Sequence, residues 1–362
     1  MILTEERIQL LAKASQHPNF VELIGELTED NLSTWLEAEL GSAEALETFL
    51  PHGNILSKAI PPKHVLHIVS GNTPHAAFQS ILRGLILGCS NTIKLPKNGL
   101  PELISWLDTL PSELAQQTKL TSDINSIDWL TADVVIAIGS DTTIESIQKH
   151  IQPHQTYIPH GHKISIGIIK AITQETAELA ARDVSLFDQR GCLSLQTIYV
   201  DESHGATAQQ FAQQLAPAMA HFAQHTPPTP LTLSEAGAIH HFRETTRFLA
   251  ANSTKTEIFE SSKSLDWTIV YQEDPQLHLS CLGRTVFIKP LPSSFDLQTL
   301  GPHAKHLSSI ALHPFDSETA KKFTHLEAHR ICPLGQSQQP SLFWHHDGFA
   351  PLAAMVRWQD IG

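Results

Sequence analysis

The sequence predicts an α/β fold built on parallel sheet, and three observations carry that prediction. Short apolar runs of strand length recur at residues 65–69, 91–95, 132–138 and 164–169. Segments of helical periodicity separate these runs, the arrangement that gives a sheet with right-handed crossovers. The run 132–138 is continuously apolar, as a strand covered on both faces is. The chain has 362 residues, 41% apolar and 17% charged, which is enough for two domains with cores of their own.

Each element follows from local pattern. Residues 4–50 read as two or three amphipathic helices, with Ile8 and Leu11 on one side of the first and Trp35, Leu36 and Leu40 continuing the stripe. Pro51-His52-Gly53-Asn54 and Pro61-Pro62 mark the exit. Strand 65–69 leads through the turn Ser70-Gly71-Asn72-Thr73-Pro74 into helix 75–88, whose Phe78, Ile81, Leu82 and Leu85 share a face. Strand 91–95 precedes a helical stretch at 101–114, interrupted at Pro111. After strand 132–138, Gly139-Ser140-Asp141 opens a helix that runs to 150. Strand 164–169, an alanine-rich helix at 173–186 and a β-favouring run at 197–200 follow. The second half is more mixed: a helix at 206–224 with Pro217 inside, a proline-rich linker at 225–230, short strands at 268–271 and 285–288, a helix at 317–323 and an aromatic tail at 342–358.

Charge and cysteine content bound the function. The net charge is −13, and residues 1–50 hold ten acidic and only two basic residues, a surface that disfavours nucleic acid and anionic membrane. Cys89, Cys192, Cys281 and Cys332 are widely spaced with no CxxC pair, which argues against a disulfide scaffold or a thiolate zinc site and for a cytosolic protein. No apolar run is long enough to span a membrane. The 22 histidines are dispersed, and the neighbours His240-His241 and His345-His346 do not share a helix face, so no metal site is read from them.

The stretch Phe187-Asp188-Gln189-Arg190-Gly191-Cys192-Leu193-Ser194 joins a helix end to a strand, with Gly191 letting the chain turn. A thiol on such a link reaches into a cleft or packs into the core, and spacing alone leaves both readings open. There is no GxGxxG and no Walker loop. Gly139 and Ser140 open a helix directly after a buried strand, so their N–H groups and the helix dipole suit a pyrophosphate. Lys94 closes a strand, either as a ligand contact or as a lysine reaching solvent.

Taken in order, Ser70-Gly71-Asn72-Thr73-Pro74, Lys94-Leu95-Pro96-Lys97, Gly139-Ser140, Gly161-His162-Lys163 and Gln189-Arg190-Gly191-Cys192 resemble the motif series of the aldehyde dehydrogenase superfamily. Within it, the 187–194 stretch and Trp344-His345-His346-Asp347-Gly348 resemble the acyl-CoA reductases typified by the fatty-acid reductase of bacterial luminescence. The resemblance covers roughly residues 60–360. It implies an aldehyde dehydrogenase-like fold of two α/β domains, a parallel-sheet cofactor domain and a catalytic domain, behind a helical N-terminal segment. The expected borders are 1–170, 171–335 and a tail at 336–362.

The resemblance also implies roles. Cys192 matches the nucleophile, and Asn72 the amide that helps form an oxyanion hole with the Cys192 N–H. Ser70, Lys94, Lys97, Gly139, Ser140 and Gly161 fall at cofactor-binding positions; Lys97 stands where a glutamate would repel a 2′-phosphate, which implies NADPH. The implied reaction is reduction of an acyl-CoA or acyl-carrier thioester to an aldehyde through an acyl-cysteine. The alternatives are NAD(P)-dependent aldehyde oxidation, a CoA-acylating aldehyde dehydrogenase, or an acyl-carrier subunit without hydride transfer. An acyl-transfer partner protein and a homo-oligomer are compatible with it. Two departures stand out: the water-activating glutamate of the oxidising enzymes is absent from Pro159-His160-Gly161-His162-Lys163, and a second family glutamate is replaced within Leu282-Gly283-Arg284-Thr285. His160 or His162 is then available to accept the thiol proton. The N-terminal part is also shorter than usual, so the family's oligomerisation hairpin is expected to be missing.

Overall fold

A computed structural model describes residues 2–362, apart from the side chain of His204. The chain forms two compact units, the first ending at His162 and completed by Ser341–Gly362, the second Lys163–Pro340. The sequence borders at 170 and 335 differ from this division: the strand at Ile164–Ile169 lies in the second unit, and residues 341–362 return to the first.

The first unit begins with helices α1 (Thr4–Ala14), α2 (Pro18–Leu23) and α3 (Glu29–Leu40). Helix α3 starts where the sequence dictates: the Thr28 hydroxyl accepts from Asn31 N–H and the Asn31 side chain accepts from Thr28 N–H. It ends at Gly41, whose φ of 80° is the left-handed cap that glycine permits. Leu32, Trp35, Leu36 and Leu40 form its buried face. Strands β1 (Leu50–His52) and β2 (Ile55–Ile60) form an antiparallel hairpin, and the terminal strand Arg357–Ile361 pairs with β2 from Arg357 opposite Ile60 to Ile361 opposite Leu56.

The centre of the unit is a parallel sheet of β3 (His64–Ile68), β4 (Ser90–Lys94), β5 (Thr118–Thr121), β6 (Val134–Ile138) and β7 (Thr156–His160), in the order β5-β4-β3-β6-β7. Helices α4 (Pro74–Ile86), α5 (Pro101–Leu107), α6 (Ser112–Ala115) and α7 (Asp141–Gln148) connect or follow the strands. The sequence reading missed β5 and β7; both are short, half-buried edge strands, and β7 contains Pro159, a residue an edge tolerates. Helix α4 lies hard against the sheet: a Cβ on Gly84 would stand 1.9 Å from Asn91 Oδ1. That oxygen is 3.0 Å from His67 Nε2, while Ser80 Oγ is 2.8 Å from His67 Nδ1. Burial lowers the His67 pKa to about 4, so this core histidine is neutral.

The second unit is a seven-stranded sheet ordered β10-β11-β12-β9-β8-β13-β14, from β8 (Ile164–Ile169), β9 (Leu195–Val200), β10 (Thr256–Glu260), β11 (Thr268–Gln272), β12 (Thr285–Pro290), β13 (Leu307–His313) and β14 (Arg330–Pro333). All neighbours are parallel except β10 and β11. Every residue of β8 and β9 is buried, which fits central strands covered on both faces. Helices α8 (Gln174–Ser185) and α9 (Ala208–His225) cover one face through Ala177, Ala180, Val184, Phe211, Leu215 and Met219. Asp183 of α8 is buried and accepts from the N–H groups of Gly335 (2.7 Å) and Ser337 (3.1 Å); burial nevertheless raises its pKa to about 6. A further helix, α10 (Leu233–Ala251), was not foreseen, although Thr232 and Glu235 form the capping box that starts it.

Candidate active site

In the first unit the sequence-predicted residues gather along the carboxyl edge of the parallel sheet. Strand β3 lies between β4 and β6, so successive connections run away from it in opposite directions, the switch point where open α/β sheets bind ligands. Ser70-Gly71-Asn72 leaves the end of β3, and Asn72 N–H donates to Ser70 Oγ at 3.2 Å, with the Asn72 side chain exposed. A Cβ on Gly71 would stand 3.3 Å from Pro96, so the first turn rests on the segment between Lys94 and Lys97. Lys94 is half-buried at the end of β4 and Lys97 is exposed.

Gly139 and Ser140 leave β6. Gly139 N–H donates to the His160 carbonyl at 3.1 Å, and Ser140 Oγ caps α7 by accepting from Thr143 N–H at 3.3 Å. Asp141, the first residue of α7, accepts from His162 N–H at 2.7 Å, and a Cβ on Gly161 would come 2.7 Å from the same oxygen. A side chain at 161 would therefore push the Asp141 carboxylate aside. The helix start read as a pyrophosphate site carries the Asp141 carboxylate, and the cations on this edge are Lys94 and Lys97.

A buried polar cluster adjoins the end of β7. His160 Nδ1 lies 2.6 Å from Asp347 Oδ2, and the His160 ring stacks on His346 with centroids 3.8 Å apart and planes 10° from parallel. Trp344 covers the other side of His346, and Arg83 NH2 of α4 lies 3.4 Å from His346 Nδ1. Burial lowers the Arg83 pKa to about 10, opposed by Glu39 and Asp347. The guanidinium only donates, so His346 Nδ1 accepts from it; the carboxylate only accepts, so His160 Nδ1 carries a proton. His160, His346 and Asp347 lie within 4.8 Å of one another, as metal ligands do. However, a metal sits in the plane of each imidazole that binds it. Two near-parallel rings stacked face to face share no such point.

In the second unit, Cys192 follows three successive left-handed residues, Phe187, Asp188 and Gln189, with φ of 55°, 53° and 62°. Such residues cost about 1–3 kcal/mol each and persist where surroundings dictate them. Here the dictation is explicit. Asp188 Oδ1 accepts from Arg284 Nε (2.9 Å) and NH2 (2.7 Å), and Oδ2 from Thr229 N–H (3.1 Å) and Oγ1 (2.6 Å). Gln189, fully buried, donates through Nε2 to the Leu195 and Thr285 carbonyls (2.8 and 2.6 Å) and accepts from Thr285 N–H (2.8 Å). Beyond this clamp Cys192 is half-buried and its carbonyl accepts from Ser165 Oγ at 2.8 Å. Gln338 Nε2 donates to Ser194 Oγ at 2.7 Å.

The other thiols are poor nucleophiles. Burial raises Cys89 to about 12 and Cys332 to about 11, and it also raises Cys281. Residues 225–230, read as a surface linker, are mostly exposed and in addition fasten the Cys192 loop: Thr226 O accepts from Arg284 NH1 (2.9 Å) and Thr229 holds Asp188. Arg284, noted in the sequence only for the glutamate it replaces, and Asp347 in the aromatic tail make contacts with Asp188 and His160 that sequence reasoning did not assign.

The family model for "Acyl-CoA reductase (LuxC)" matches residues 3–358. The chain belongs to this acyl-CoA reductase family. It is an oxidoreductase that takes an acyl thioester to an aldehyde. Among curated relatives of the family, the long-chain acyl-protein thioester reductase of Photorhabdus laumondii is 24% identical, over 96% of this chain and 73% of its own length. That of Aliivibrio fischeri is 24% identical, over 88% of this chain and 68% of its own. Solved structures show the aldehyde dehydrogenase fold. Gamma-glutamyl-gamma-aminobutyraldehyde dehydrogenase from Burkholderia cenocepacia superposes with a TM-score of 0.71 at 12% identity, covering 99% of this chain and 84% of that one. Aldehyde dehydrogenase 21 from Physcomitrella patens gives 0.70 at 12% identity, covering 99% and 85%. Among the described residues, no helix is long and apolar enough to cross a membrane.

Proposed function

We propose that Cys192 carries the acyl group in this reaction and that NADPH is the reductant. The supporting observation is the placement of the four thiols: Cys192 stands half-buried on a clamped turn into a central strand, whereas burial raises the pKa of Cys89, Cys281 and Cys332. Its sulfur attacks the thioester carbonyl; the C–S bond to coenzyme A or to a carrier protein breaks, and an acyl-Cys192 thioester remains. The Cys192 N–H and the Asn72 amide are the proposed donors to the carbonyl oxygen as it becomes negative. His160 takes the thiol proton on Nε2, with Asp347 holding the ring in that tautomer, and returns it to the leaving thiolate. His162, exposed and donating its backbone N–H to Asp141, is the alternative acceptor.

The carboxyl edge of the first unit fits a phosphorylated dinucleotide. Ser70 and Gly71 lie against the Lys94–Lys97 segment, which supplies two cations, and Gly139, Ser140 and Gly161 line the neighbouring strand ends. When bound, the dinucleotide supplies the hydride. Lys97 favours a 2′-phosphate over a 2′-hydroxyl, and Lys94 is the proposed ribose contact. A working thiol of this kind also suits a reducing cytosol.

The test is a single turnover. The protein is loaded from labelled long-chain acyl-CoA and chased with and without NADPH. The label is expected on Cys192, persisting without cofactor and leaving as aldehyde when NADPH is added. Cys192→Ala should lose label and aldehyde together, while alanine at 89, 281 or 332 keeps both. Label retained by Cys192→Ala, or rapid release of free acid from the unmodified protein, overturns the reading.

A further inference from the structure

The buried pair Asp188–Arg284 lies outside the catalytic and cofactor roles given so far, and Asp188 stands four residues before Cys192 in the chain. Arg284 is itself left-handed, with φ of 57°, and is 2% exposed. It reaches Asp188 through two nitrogens and the Thr226 carbonyl through the third, and its guanidinium lies 5.5 Å from the centre of the Phe222 ring. Asp188 in turn is the middle of the three left-handed residues, a run that chain sterics oppose. The adjacent Thr285 backbone is bonded in both directions by Gln189. Residues 284–285 thus grip both polar side chains of the run, and the chain reaches Cys192 only three residues later.

We infer that Arg284 is a positioning residue for the acyl-transfer step: through Asp188 it fixes the left-handed run and so sets where Cys192 points. The inference rests on Cys192 as the nucleophile, as proposed above. A fold-only role would also make this pair matter, so the two must be separated. Arg284→Met leaves a buried carboxylate without its cation and lowers stability. The double variant Arg284→Met/Asp188→Asn buries no lone charge and regains most of that stability, but it lacks the bidentate grip.

The experiment measures thermal unfolding, steady-state kinetics with acyl-CoA and NADPH, and alkylation of Cys192 by iodoacetamide, read by peptide mass spectrometry. In the double variant kcat is expected to stay about 10²-fold low with KM changed by less than about threefold, since a misplacement of roughly 1 Å costs that much. Alkylation of Cys192 is expected to change by at least about fivefold, and Arg284→Lys to recover part of kcat. A double variant that regains kcat and alkylation together with stability overturns the inference, as does a rise in KM alone. The alkylation arm does not depend on the acyl chemistry. A changed alkylation rate in a protein whose Cys192 never takes acyl label sinks the proposed function and the acyl-transfer role with it, and leaves only that Arg284 sets where the Cys192 thiol points.

Discussion

Gln189 and Asn72 are both amides on turns between helix and strand, and they live in opposite surroundings. Gln189 is sealed in the second unit with three backbone groups bonded to its side chain. Asn72 sits on an open turn of the first unit, its side chain exposed at the carboxyl edge. The comparison shows two ways of building a site. The Cys192 turn is placed by a buried network that holds an unfavourable backbone. The Asn72 turn is placed by the end of a regular strand, which leaves its side chain exposed. Substitutions in the first kind of turn should register as lost stability, and in the second kind as lost rate.

The sharpest way to break that comparison is to change both amides. Gln189→Leu strips partners from the Thr285 N–H and from the Leu195 and Thr285 carbonyls, and is expected to cost about 3–5 kcal/mol in urea unfolding. Asn72→Ala is expected to change stability by less than about 0.5 kcal/mol while lowering turnover about 10²–10³-fold. Equal stability losses in the two variants would erase the distinction.

Acid should separate the units next. His67 in the first unit has its pKa lowered to about 4, so as pH falls from 6.5 the unfolded chain takes the proton first and stability is lost. Asp183 in the second unit has its pKa raised to about 6 from 3.8; as pH falls through that window the folded chain takes the proton first, and stability is gained. Each effect is about 3 kcal/mol. Hydrogen exchange corrected for its intrinsic pH dependence should show the first unit loosening below pH 6.5 while the second tightens, with His67→Gln flattening the first response. Parallel loosening of both units, unchanged by that substitution, would refute it.

The smallest expected effect is at the exposed Lys97. Lys97→Glu should shift the ratio of kcat/KM for NADPH over NADH about fivefold towards NADH, the size of roughly 1 kcal/mol from a solvent-screened contact. An unmodified protein indifferent to the two cofactors would remove Lys97 from the recognition.

The open turns were largely legible in the sequence, because each follows an apolar strand and carries its own glycine or lysine. The parallel strands 65–69, 91–95, 132–138 and 164–169 fall on β3, β4, β6 and β8. What could not be read was the clamp. Arg284 meets Asp188 across 96 residues, and nothing local in either segment announces the other. Asp347 meets His160 across 187 residues for the same reason. Edge strands such as β7 and β10 were missed because half-burial blurs the apolar run, and β13 because Ser308 and Ser309 interrupt it although both are wholly buried. Helix α10 was readable from its Thr232–Glu235 cap and was overlooked beside the proline tract.

The return of residues 341–362 to the first unit bears on how the nascent chain matures. A ribosome releases the second unit, with its cysteine and clamp, before it supplies Asp347 to His160, the terminal strand to β2, and the Leu352 and Ala353 N–H groups that Glu39 accepts at 2.6 and 3.0 Å. Cys192 is therefore synthesised ahead of the residue that anchors His160. In a chain halted at residue 340, His160, β2 and Glu39 still lack these partners, so the first unit closes on itself only after the whole of the second has been made.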